Sequence, residues 1–217
     1  FAYFMMPLAV IAILVGSGVA LYENNLKRLF AYSSVAQIGY ILLGASLVSV
    51  AGLTASVIHM FNHALAKGTV FLVIVGLATN YSNLRLENIA GAAKHMPWTM
   101  GAFVIAGLSL VGVPGTVGFI SKWYLISAAL SQGTIGIMLV VVILISSMMA
   151  MAYVWKVIEM AYFGESLANA TPPHEAPNAL LIVTWVAALS NIYYGISTSL
   201  PVTLASTAAE SLLRHIP

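Results

Sequence analysis

The chain has 217 residues, 61% of them hydrophobic and 6% charged, whereas a soluble domain carries about 25% charged residues. This composition describes an integral membrane protein in contact with the lipid bilayer. A net charge of +2 without a basic cluster argues against nucleic acid as a partner, and the absence of cysteine excludes disulfides, thiolate metal sites and thiol nucleophiles.

The chain opens on Phe1, inside an apolar run, with no basic n-region or small-residue cleavage site. It reads as a single transmembrane domain over 1–217, belonging to a longer or split subunit. Six spans are expected in an all-α fold. The first covers about Ala2 to Tyr22 and ends at the polar turn 23–28. The second runs from about Leu29 to Val50 and carries Ser33 and Ser34, which helix packing explains adequately, and Gln37, whose larger amide can hold a water or a neighbouring side chain and is expected to join helices.

The third span, from about Ala51 to Thr79, departs from plain hydrophobic patterning. His59, His63 and Lys67 recur at i, i+4, i+8 and so share one side of a helix. Ionisable groups at mid-membrane depth face a polar interior or a water-filled path. Residues 80–97 follow as a loop with a short interfacial helix, in which His95 reads as exposed.

The fourth span, Trp98 to about Leu130, is too long for one crossing: an unbroken helix of that length extends about 50 Å against a hydrocarbon core of about 30 Å. Val113, Pro114 and Gly115 lie at its middle, so two half-helices joined there are predicted. Broken membrane helices commonly sit at transport sites. Lys122 follows the break, and the apolar run 123–126 continues beyond it, which argues for burial over snorkelling.

The fifth span covers about Thr134 to Tyr162, with Lys156 and Glu159 near its end spaced for an ion pair. A loop with adjacent Pro172 and Pro173 precedes the sixth span, about Ala179 to Leu200. Pro201 is expected to interrupt the chain before an amphipathic, interfacial tail. His174 and Glu175 are adjacent, which gives no ligand geometry.

Six spans put the turns 23–28, 80–97 and 164–178 on one side, with Lys27, Arg28, Arg85 and Lys94; the other side holds only Arg214 among the basic residues. The positive-inside rule places the first set in the cytoplasm, or in the matrix of a mitochondrion. Both termini then lie outside, and Lys122 lies in the outer half. A bacterial or archaeal cell membrane is expected, with the mitochondrial inner membrane as the alternative.

Three stretches, LKRLFAYSSVAQIGYILLG, NHALAKGTVFLVIVG and GVPGTVGFISKWYLI, resemble consecutive blocks of the antiporter-like membrane subunits of respiratory complex I, Mrp-type cation/proton antiporters and membrane-bound hydrogenases. The resemblance implies helices nine to fourteen of a fourteen-helix subunit built from two inverted five-helix repeats. It implies that Lys67 and the preceding histidines belong to a central hydrophilic axis, and that Lys122 matches the broken-helix group assigned to proton exchange with the outer side. A buried Glu and a partner Lys of the first repeat, and a further Lys just before this stretch, are not among the 217 residues.

The chemistry agrees with a proton relay through His59, His63, Lys67 and Lys122. Histidine titrates near neutrality, and lysine, unlike arginine, can exchange its proton in a buried site. Neither a cofactor site nor a metal site nor a catalytic site of its own is legible, so energy would come from other membrane subunits of a multisubunit complex. That complex would be of the NADH-quinone oxidoreductase or Mrp type, moving protons, with the role of sodium left open. The competing reading is a structural module that scaffolds such a complex and conducts nothing.

Overall fold

The computed structural model describes residues 2–165 and 173–214, with side chains from residue 4 onward. Six crossings emerge. They are α1 (Ala2–Tyr22), α2 (Leu26–Ser46), α3 (Val50–Ala78), a fourth crossing in two pieces, α7 (Gly133–Phe163) and α8 (Asn178–Ile196). Among the described residues five helices are each long and apolar enough to span a membrane, and the shorter apolar α5 (Pro97–Val111) and α6 (Val117–Leu130) together make up the fourth crossing. Between α3 and α5 lie a 3₁₀ turn (Leu86–Ile89) and the short α4 (Ala92–His95), and α9 (Ser199–Arg214) follows α8.

Local chemistry sets the helix ends. Asn25 accepts from the Lys27 and Arg28 amides at 3.1 and 3.3 Å, so α2 starts three residues earlier than its apolar pattern suggests. Ser49 caps α3 through the Gly52 amide. Gly112, at φ +91°, ends α5 in the left-handed conformation that favours glycine. Pro114 has no amide hydrogen and cannot continue the ladder. The interruption before the tail falls at Ser197 and Thr198, and Pro201 sits in the first turn of α9, where a missing amide hydrogen costs nothing. The structure of residues 166–172, with Pro172, lies outside the described residues.

Three connections gather at one end of the bundle. Leu26 N–H bonds Leu84 O at 2.8 Å and Leu86 N–H bonds Asn24 O at 2.9 Å, which pins the 79–91 segment to the α1–α2 turn. Asn80 bonds the backbone of His174 through both its amide nitrogen and its oxygen, at 2.8 and 3.1 Å. This pairing gives the three turns the common side that six crossings require.

Lys156 and Glu159 form no salt bridge; the ion pair among the described residues is Arg28–Glu23 at 3.3 Å. Lys156 Nζ instead lies 2.7 Å from Asn24 Oδ1 and 3.3 Å from Glu23 O, just past the end of α1. The carbonyls freed at a helix C-terminus and the negative end of its dipole attract the ammonium more effectively than an exposed glutamate at i+3.

The core has two apolar clusters. One contains Phe30, Val70, Met100, Phe103 and Tyr153, the other Ile13, Tyr40, Leu43, Leu125 and Ile143. Along α2 and α3 the stretch between these clusters carries polar residues, Ser33 and Gln37 on one helix and His59, Asn62 and His63 on the other, beside small and apolar ones such as Ala36 and Ile58. The two halves of the fourth crossing meet at this polar layer, where Gly118 of α6 lies directly against the Ser109 carbonyl of α5, leaving no room for a Cβ. Gly118→Ala should therefore destabilise the subunit by about 1–3 kcal/mol. Thermal unfolding of the detergent-purified protein checks this, and an unchanged midpoint would show that the half-helices do not meet this closely.

Candidate functional site

His59, Lys67 and Lys122 are each held by elements that their own helix does not supply. His59 is 3% exposed and bridges two helices. Its Nε2 donates to Gln37 Oε1 of α2 at 3.0 Å, and its Nδ1 faces Ser121 Oγ of α6 at 2.9 Å. Ser121 also donates to Gly118 O at 3.2 Å. A hydroxyl has one hydrogen. When that hydrogen points to Gly118 O, Ser121 Oγ can only accept, and the bond needs a proton on Nδ1. When it turns to Nδ1, that nitrogen accepts and the ring proton is on Nε2. Rotation of one hydroxyl is thus tied to which ring nitrogen of His59 carries a proton.

Lys122 is 5% exposed. Its Nζ donates to Val111 O at 2.7 Å, Leu110 O at 3.1 Å and Ser147 Oγ of α7 at 3.0 Å. The first two acceptors are last-turn carbonyls of α5, left free because the helix stops there. The break therefore creates the lysine's binding site, and the dipole of α5 points its negative end at the ammonium. Tyr40 presents its ring 5.4 Å from Nζ. Gly112 admits the side chain: a Cβ there would sit 2.9 Å from Lys122 Cδ.

Lys67 is 4% exposed and points at α2. Its Nζ bonds Phe30 O at 2.7 Å and Ser33 Oγ, and lies 5.0 Å from the Phe30 ring centroid. Among the described residues neither lysine forms a salt bridge. Both ammonium groups rest on neutral carbonyls, hydroxyls and ring faces.

A cavity of about 10 Å³ joins most of these groups. Its wall includes Gln37, His59, Asn62, His63, Ser109 and Lys122. His63 Nδ1 and Ser109 Oγ, both on this wall, are buried without a protein partner. A space of that size holds about one water. Three of the four expected residues, His59, His63 and Lys122, thus share one cavity, and Lys67 lies outside its wall. Val113 to Gly115 lie in the link between α5 and α6, and Asn62 of α3 donates to Val117 O at the start of α6, tying the second half-helix to the histidine helix.

Several contributors have no site role in the sequence reading, which gives Ser33 to packing and Gln37 to interhelical contact. Ser33, Gln37 and Tyr40 form a stripe on α2 at i, i+4, i+7, and they meet Lys67, His59 and Lys122 respectively. That spacing was available in the sequence. Ser121 and Ser147 carried no such signal, because single serines in membrane helices commonly serve packing.

The fold and site define an all-helical integral membrane protein in which a broken crossing encloses a buried lysine and histidine layer. Residues 1–150 match the family described as NADH:quinone oxidoreductase/Mrp antiporter, TM, and the chain belongs to that family. It is 37% identical over 201 residues to NADH-quinone oxidoreductase subunit N of Desulforudis audaxviator, a match covering 87% of this chain and 40% of the relative. It is 34% identical over 211 residues to NADH-quinone oxidoreductase subunit N 2 of Syntrophobacter fumaroxidans, covering 95% and 43%. A chain of the Mrp complex from Dietzia sp. DQ12-45-1b superposes with a TM-score of 0.91 at 25% identity, over 98% of this chain and 47% of that one. A chain of respiratory complex I from Thermus thermophilus superposes with a TM-score of 0.74 at 25% identity, over 93% and 45%. The chain thus spans less than half the length of these relatives.

Gln37→Leu removes the acceptor of His59 Nε2 and leaves a buried donor unpaired, at a cost of about 1–3 kcal/mol. Denaturation of the purified protein should show the loss, and Gln37→Glu, which keeps an acceptor, should show less of it. Equal stability of wild type and Gln37→Leu would mean that the bond is not made.

Proposed function

We propose that this chain is part of a proton-translocating, antiporter-like subunit of a complex I-type or Mrp-type membrane complex, relaying protons through Lys67, His63, His59 and Lys122. One observation carries the reading: two almost fully buried lysines with only neutral partners lie at either end of a histidine layer. A lysine retained for structure alone is served better by a carboxylate or by a short route to water. A lysine on carbonyls and hydroxyls can give up its proton without abandoning a fixed counter-charge.

In this reading Lys67 loads from another part of the subunit, His63 and His59 pass the proton with one cavity water bridging, and Lys122 releases it. The His59–Ser121 hydroxyl rotation supplies a local step. Lys27, Arg28, Arg85 and Lys94 on the loop side favour the cytoplasm for that side by the positive-inside rule, and in this reading Lys122 is the outward group and the first crossing starts outside. Other membrane subunits supply the energy and the remaining carriers, and protons are the transported species. The link at Val113, Pro114 and Gly115 acts as the hinge that keeps the α5 carbonyls free for Lys122.

Two substitutions test this in the assembled complex. Lys67→Ala should reduce proton pumping by about a hundredfold, the lower end of what a proton-transferring side chain contributes, with assembly preserved. Lys122→Arg keeps the charge but cannot deprotonate in the working range, so it should block coupled transport in sealed vesicles nearly as completely as Lys122→Ala. Wild-type pumping by both the Lys67→Ala and Lys122→Arg variants would reject the relay and leave the scaffold reading.

A further inference from the structure

We infer that Glu175 is a positioning residue for the Lys122 site, acting from the opposite end of α5; this rests on the relay reading above. Glu175 precedes α8 and lies 76 residues from Thr99 in sequence, yet its carboxylate closes the N-terminus of α5. Oε2 accepts from Trp98 N–H at 2.9 Å, and Oε1 accepts from Thr99 N–H at 3.3 Å and from the Thr99 hydroxyl. Oε1 also accepts from its neighbour Ala176 N–H at 3.1 Å. The helix supplies no cap of its own, because Met96 stands at the capping position and its side chain makes no capping bond to the helix amides. Glu175 therefore satisfies two of the amides that every helix start leaves free, and does so at the positive end of the dipole.

The other end of α5 is the carbonyl pair that holds Lys122. The half-helix is thus bracketed by a carboxylate at one end and an ammonium at the other, about 22 Å apart for 15 residues. Direct attraction across that distance is weak. The connection is mechanical, and α8 provides it. At its start Glu175 grips α5. Midway, Trp185 packs edge-on against Trp98, with ring centroids 5.8 Å apart, and lies over Gly101. Near its end Gly195 sits so close to the break that a Cβ would come within 2.6 Å of Gly115 O and of Thr116 backbone atoms. The α8 helix therefore runs beside α5 as a splint fastened at both ends. Releasing Glu175 frees α5 to slide along its axis, which moves the Leu110 and Val111 carbonyls relative to Lys122.

The test uses the assembled complex carrying Glu175→Ala, Pro97→Glu, the double variant, and Lys122→Arg. Coupled transport in sealed vesicles is measured together with amide exchange of segments 97–103 and 108–116. Glu175→Ala should assemble, exchange faster in both segments, and lose about fivefold in transport, the factor expected for loss of one helix cap. Pro97→Glu restores a carboxylate to the first turn of α5 from an exposed position and keeps the Trp98–Trp185 contact, and in the double variant it should recover both readouts. A loop-holding role for Glu175 would not be rescued this way, so a transport loss without rescue overturns the inference. Faster exchange confined to 97–103 with normal transport does the same. If Glu175→Ala does not assemble, Glu175→Gln, which keeps one acceptor oxygen, takes its place with the same criteria. Normal transport by Lys122→Arg overturns the relay reading and this inference with it. Blocked transport by Lys122→Arg beside normal transport by the Glu175 variant overturns this inference alone.

Discussion

Two ammonium groups buried away from water impose the main constraint on this structure. Removing a charge from water costs several kcal/mol unless nearby dipoles replace hydration. Among the described residues no salt bridge meets that cost for Lys67 or Lys122, so backbone and hydroxyl dipoles must. Ordinary helix interiors have few carbonyls to spare, since each is committed to the residue four ahead. The chain finds extra acceptors in two ways. For Lys122 it ends a helix in mid-crossing, freeing last-turn carbonyls. For Lys67 it uses the outer lone pair of the Phe30 carbonyl together with Ser33 Oγ.

The rest of the packing follows from those two solutions. A broken crossing exposes backbone that lipid cannot satisfy, so neighbouring helices must surround the break. Asn62 reaches Val117 O from one side, Gly195 of α8 closes in from another, and Gly118 lets the half-helices overlap. Glycine is needed at these contacts because backbone approaches backbone. The apolar clusters on either side of the polar layer then hold the ionisable groups in a narrow zone, where solvent screening is least and a change of charge on one group is felt by the next.

Much of this was legible in the sequence. The i, i+4, i+8 spacing of His59, His63 and Lys67 placed them on one helical side, and excess length with Pro114 located the break. Those signals are local: periodicity and backbone restriction act within a few residues. The partition of the site was not legible. His59 and Lys122 reach the same cavity wall while Lys67 turns to α2, and that depends on which neighbouring helix faces each side chain. Gln37 and Ser33 read as packing residues because their type fits packing equally well; only the partner across the interface distinguishes the roles. Lys156 illustrates the same limit, since its spacing to Glu159 suggested a pair, whereas tertiary contact offered the carbonyl end of α1.

Glu175 marks where sequence reasoning loses sight of a site altogether. Its acceptors and donors are all local in kind, a carboxylate and the first amides of a helix, but they come from segments 76 residues apart. A capping residue is normally sought just before its helix, and here that position holds Met96, which cannot cap. The absence of a cap at the start of an otherwise well-defined half-helix is itself a signal, because free amides at a buried or interfacial helix start require a partner from somewhere. In a protein whose central lysine depends on the far end of that same helix, the partner is in a position to matter. A helix transmits displacement along its axis far better than across it, since its hydrogen bonds lie nearly parallel to that axis. The half-helix α5 thus links a loop carboxylate to a buried amine.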